Sequence, residues 1–186
     1  LNGMVKCTGY KPGALEDRYS SDGVFLYDRL NKSDMEMLEL TIRCHNMYRI
    51  PQGLNRREQA FCNVLRDADK VDIFKVNIDT PLEEIYNTTT EELMKSDITD
   101  EVLEAFGEEH CILKAIRRTP ADTVIGHVSL AYELVYDESV RITVEQGYLG
   151  KLMHFHSDNE ETNRKMAMVR EKMDSHVKKR IGKKDA

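Results

Sequence analysis

The sequence predicts an all-α fold, a helical bundle of about eight or nine helices in one domain over residues 1–186. Three observations carry that expectation. Apolar residues recur at three- and four-residue steps along most of the chain, as one face of a helix requires. Ser, Thr, Asn and Asp stand ahead of these runs at capping spacing, and Gly or Pro closes several of them. No stretch alternates polar and apolar residues for long enough to make a strand.

Gly3, Gly9, Pro12 and Gly13 with little periodicity make 1–19 a loop, and Val24, Phe25, Tyr27 and Leu30 suggest a helix near 20–31. Ser33 with Glu36 reads as a capping box for a helix on which Leu38, Thr41, Ile42 and His45 share the inward stripe, and Pro51 stops it. Asn55 with Glu58 opens the next helix, which runs to about Val76 with Phe61, Leu65, Asp69, Asp72 and Ile73 on or beside one face. Pro81 and the run Asn87–Thr90 interrupt the pattern ahead of a short helix from Glu91. Further helices are expected over 99–106 and 109–118. Thr119 as cap with Pro120 in first position starts another, bringing Val124, His127, Val128, Ala131, Leu134 and Val135 to a core. Asp137 opens a helix that Gly147 ends, 148–155 adds a brief turn, and the last helix, 158–181, repeats Met166, Val169, Met173, Val177 and Ile181.

The formal net charge of -6 argues against a nucleic-acid polymer as partner, because phosphate neutralisation needs clustered Lys and Arg. The one basic run, Lys178, Lys179, Arg180, Lys183 and Lys184, reads as a solvated helix end that complements the helix dipole. Cys7, Cys44, Cys62 and Cys111 have no CxxC spacing and read as packed, reduced thiols of a cytoplasmic protein. No apolar run is long enough to span a membrane, and no secretory leader pattern is present, so the sequon at Asn87 is set aside. Leu1 in place of a methionine suits a piece of a longer chain.

Chemistry concentrates in residues 41–75. Asp69 falls where an apolar residue is expected, and a buried carboxylate needs a cation, a metal or several donors. His45 lies on the helix before it, so the pair is expected to face one another across a pocket; Lys70, next to Asp69, offers a charge for phosphate, a solvated lysine being the plainer reading. Taken singly, a packed histidine and a salt-bridged carboxylate are the plainer readings; together they offer ligand types suited to a divalent cation. Asp67, Asp69 and Asp72 do not make a calcium loop, since Val71, Asp72 and Ile78 stand where an oxygen ligand, a glycine and a glutamate are needed. His127 reads as a packed core residue; His110, His154, His156 and His176 read as solvated or boundary positions.

The segments IRCHN and LRDADKVDIFKV resemble the second half of the HD-domain fold, a helical family of metal-dependent phosphohydrolases. TPADTVIGHVSLAYELVYD and EQGYLGKL are similar to the C-terminal helices of one bacterial branch, so the likeness covers roughly residues 35–180. The family's metal site uses an early His, a His-Asp dipeptide and a distal Asp. The resemblance makes Asp69 that distal Asp, and His45 a later His placed near a second metal or the substrate phosphate. It implies a divalent metal (Mn, Ni, Mg, Fe or Zn) and a small phosphorylated molecule as substrate. The chain departs from the pattern in having no His-Asp dipeptide, no His before His45, and no His around Ser21-Asp22-Gly23 where relatives often carry one. Either those ligands lie upstream of Leu1 or they have been lost. The second case gives a catalytically degenerate HD fold that binds a nucleotide or a protein; a helical regulatory module with a salt-bridged Asp69 is a third reading.

Overall fold

Every regular element among residues 31–182, the part of the chain described by this computed structural model, is helical. The expected loop at 1–19, nearly all of the helix near 20–31, and Cys7, Lys183 and Lys184 lie outside the described residues. Nine α-helices occur among them: α1 Lys32–Cys44, α2 Arg56–Asp79, α3 Leu82–Tyr86, α4 Thr90–Lys95, α5 Asp100–Gly107, α6 Pro120–Val128, α7 Asp137–Gln146, α8 Tyr148–Met153 and α9 Glu160–Ile181. Two 3-10 turns, Lys114–Ile116 and Ser129–Glu133, flank α6. Contacts divide the chain into two compact units after Arg66, so the start of α2 belongs to one and the remainder to the other.

In the first unit, α1 is capped by Asn31 rather than by Ser33: the Asn31 side chain accepts from the Asp34 amide at 3.0 Å. Asp34 is in turn paired with Arg57 at 2.9 Å. The helix ends at Cys44, well short of Pro51. Arg66 explains how the chain leaves it, because its guanidinium donates to the carbonyls of Cys44, Met47 and Tyr48 and fixes a non-helical path. The expected start of α2 is present, with Asn55 Oδ1 accepting from the Arg57 and Glu58 amides and the Asn55 amide donating to Glu58. Cys44 and Cys62 are buried free thiols that meet side by side; burial and then Cys62 push the Cys44 thiol up.

The second unit holds one apolar core. Met166, Val169 and Met173 of α9 pack with Phe74, Val102, Phe106, Val124, Ile125, Val128, Leu149 and Leu152 from four other helices. The caps of α4 and α6 are reciprocal boxes, Thr89 with Glu92 and Thr119 with Asp122, and Gly147 ends α7 in the left-handed conformation at φ 72°. Three expectations change here. The 109–118 stretch makes only the turn Lys114–Ile116. The helix from Pro120 ends at Val128, after which Val135 stays 47% exposed. Residues 82–86 and 148–153, expected as interruption and turn, are helical.

The stretch 94–99, the end of α4 and the loop after it, ties α9, α6 and α5 together. The Met94 carbonyl accepts from the Asp158 amide at 2.9 Å and from Ser157 Oγ. The Ser96 carbonyl accepts from Thr162 Oγ1 at 2.8 Å, and Ser96 Oγ accepts from the Ala121 amide at 3.0 Å. The Asp97 carbonyl accepts from Thr119 Oγ1 at 2.6 Å, and Lys165 Nζ donates to the carbonyl of Ile98, a residue that is fully buried.

Candidate functional site

Helix α2 carries the residues singled out from sequence, but it is rotated from the expected face. Cys62, Arg66, Asp67, Lys70, Phe74 and Asn77 are its buried positions, whereas Phe61 is 47% exposed and Asp72 is exposed. Leu65, Asp69 and Ile73 lie at the border, half-buried. The face was misassigned because polar groups occupy its interior, and an apolar count points elsewhere.

Each of these polar groups has local work to do. Asp67 accepts from the Val135 amide at 2.9 Å and the Tyr136 amide at 3.0 Å, closing the turn that precedes α7. Asn77 Nδ2 donates to the Ile73 carbonyl at 2.8 Å, and its Oδ1 accepts from Tyr86 Oη at 2.9 Å and from His127 Nδ1 at 2.6 Å. That arrangement puts the proton of neutral His127 on Nδ1 and leaves the lone pair on Nε2. Burial, with Arg117 and Lys114 adding to it, pulls the His127 imidazole down to about 4.

His45, in the first unit, is the half-buried residue that follows α1, and its Nδ1 donates to the Ile42 carbonyl at 2.6 Å. Asp69 and Lys70 belong to the second unit; Asp69 is half-buried and Lys70 only 5% exposed. Among the described residues no three His, Cys, Asp or Glu side chains converge as a metal ion would require. Among them, too, no helix is long and apolar enough to cross a membrane.

One further histidine departs from the sequence reading. His154 and His156 are exposed as expected, but the His176 side chain is only 14% exposed. It stands edge-on to Tyr132 with ring centroids 4.8 Å apart, and its Nδ1 lies 3.3 Å from Glu109. Its position three residues after buried Met173 places it on the inner stripe despite its charged sequence neighbours. Arg180 likewise is no solvated helix end, since it pairs with Asp137 at 2.7 Å and donates to the Leu134 and Val135 carbonyls.

Arg117 escaped notice altogether. Its guanidinium lies against the backbone of Gly126, where any Cβ would collide with it, and its Nη2 donates to the Ile112 carbonyl. The available signal was Gly126 itself: a glycine inside a helix costs about 1 kcal/mol against alanine, which points to a close neighbour.

Comparisons with protein-family models, with curated proteins and with solved structures found no match.

Proposed function

We propose that the chain is an HD-domain-like phosphohydrolase of the cytoplasm, acting on a small phosphoester or nucleotide rather than on a nucleic-acid polymer. The observation that supports this reading is the Asp69-Lys70 step of α2, where a half-buried carboxylate is followed by a cation held almost wholly out of water. A lysine of this kind offsets the charge that grows on phosphoryl oxygens as water attacks, and low solvent access strengthens the effect.

The resemblance assigns Asp69 and His45 to a divalent metal, which when bound would polarise a phosphoryl oxygen and activate water. Two ligands fall short of the three or more that a catalytic metal usually takes, and the described residues supply no such cluster. The roles proposed for the second unit's own residues are therefore a carboxylate at Asp69 and a charge-offsetting cation at Lys70. The short ligand set favours a second reading, a degenerate HD fold that binds a phosphorylated ligand or a protein partner without turnover.

Phosphomonoester hydrolysis by the whole chain, with added manganese, nickel or magnesium, is the test. Asp69→Ala should lower kcat/KM by about a hundredfold or more while circular dichroism stays helical. Turnover unchanged by that substitution would exclude Asp69 from the chemistry. Binding of a phosphorylated ligand with no turnover in any metal would select the second reading.

A further inference from the structure

Where α7, α8 and the end of α9 meet, the second unit carries a groove of about 540 Å³, remote in sequence from Asp69 and Lys70. Leu149 and Met153 of α8 are its buried lining, and Val144, Val177 and Ile181 line it closer to solvent. Its size falls in the range of small-molecule sites, and so does its make-up, an apolar lining with few polar groups. Two of those groups are charged. Asp174 and Lys178 stand about one helical turn apart on α9, both exposed, and neither side chain forms an ion pair among the described residues. In water such charges gain little from each other at that spacing, so both stay available. Gly150 adds an independent observation. It lies inside α8, where glycine weakens a helix relative to alanine, yet a Cβ there would meet no atom within 4 Å. Nothing among the described residues asks for that glycine, in contrast to Gly126, whose missing side chain makes room for Arg117. The space it leaves lies in the groove, and Gly147 and Gly182, which line it too, are as open.

An occupant has to match these features together: an apolar body for the lining, a cation for Asp174 and an anion for Lys178. A small apolar zwitterion does so, because an α-amino acid carries both charges on the carbon that bears its side chain. We propose that this groove binds an apolar amino acid, its ammonium on Asp174, its carboxylate on Lys178 and its side chain over Leu149 and Met153. Gly150 leaves the opening through which the side chain reaches that lining. None of these residues belongs to the phosphohydrolase reading, and the site stands whether or not the chain turns over a phosphoester.

NMR titration of the whole chain with L-leucine at constant ionic strength tests this. The amide signals of Gly147, Gly150 and Gly182 should shift saturably. Isopentylamine and 4-methylpentanoate, which keep the apolar body of leucine but one charge each, should bind about threefold or more weakly. Asp174→Asn should weaken L-leucine by about threefold and leave 4-methylpentanoate unaffected, whereas Lys178→Gln should weaken it similarly and leave isopentylamine unaffected. Gly150→Leu, which fills the groove with the protein's own side chain, should abolish binding and raise the melting temperature, since helix propensity improves. Absence of a saturable shift at these glycines, isopentylamine bound as tightly as L-leucine, or unchanged affinity in Gly150→Leu would each overturn the site. Should Gly150→Leu not fold, the two analogues and the two charge variants decide. Self-association that Gly150→Leu abolishes, in a chain that L-leucine does not bind, would give the groove to a second copy instead.

Discussion

Helices α2 and α9 are nearly equal in length, 24 and 22 residues, and are built on opposite plans. α9 buries Met166, Val169 and Met173 in the middle of its length and touches the core through them. α2 buries Arg66, Asp67, Lys70 and Asn77 and reaches the same core through Phe74 and, near its end, the half-buried Ile78. In α9 the free energy comes from apolar area removed from water, at about 25 cal/mol per Å². In α2 much of it must come from satisfied polar groups, which gain little net but cost dearly when a partner is lost. A helix of the first kind fixes a fold; one of the second kind ties remote segments together at named atoms.

The contrast can be broken by substitution. Met173→Ala should cost about 2–5 kcal/mol in urea unfolding, because its fully buried side chain leaves a cavity in the core. Asp67→Ala should cost less, about 1.5–3 kcal/mol, by stranding the Val135 and Tyr136 amides. A larger loss for Asp67→Ala than for Met173→Ala would show that the polar side of α2, not the apolar stripe of α9, dominates stability.

The third expected effect concerns acid. His127 is held neutral in the fold, its imidazole at about 4 against an ordinary 6.5, so between these values the unfolded chain binds the extra proton. The stability linked to His127 is therefore fully present above pH 6.5 and is lost progressively as pH falls toward 4. His127→Gln should flatten that part of the stability profile. An unchanged slope would place the linkage in other groups.

Sequence alone located the helices where caps and apolar steps coincide, as at Thr119-Pro120, Asp137 to Gly147, and the stripe of α9. It was misled where one signal stood without the other. Pro51 marks a boundary, yet α1 ends at Cys44 because Arg66, more than fifteen residues farther along, collects the intervening carbonyls. Such a tertiary capping partner leaves no local pattern. The inward face of α2 was invisible for a related reason: Asp67 and Asn77 are buried for the sake of Val135, Tyr136, Tyr86 and His127, none of which is near in sequence. At Asp69 the inward position was legible, since the residue is half-buried; at Lys70 the plainer reading of a solvated lysine fails, because the side chain is buried. Arg117 was not legible, because its importance depends on what faces it.

The stretch 94–99, from the end of α4 to the start of α5, gives the protein an unusual length constraint. Surface connections commonly accept inserted residues at little thermodynamic cost. Here consecutive carbonyls meet donors from the starts of α6 and α9, while the Thr99 amide meets Asp122, so adding or deleting one residue would put every downstream partner out of step at once. Among natural variants of this chain, differences in length should accumulate elsewhere, and 94–99 should keep its spacing even where its side chains change.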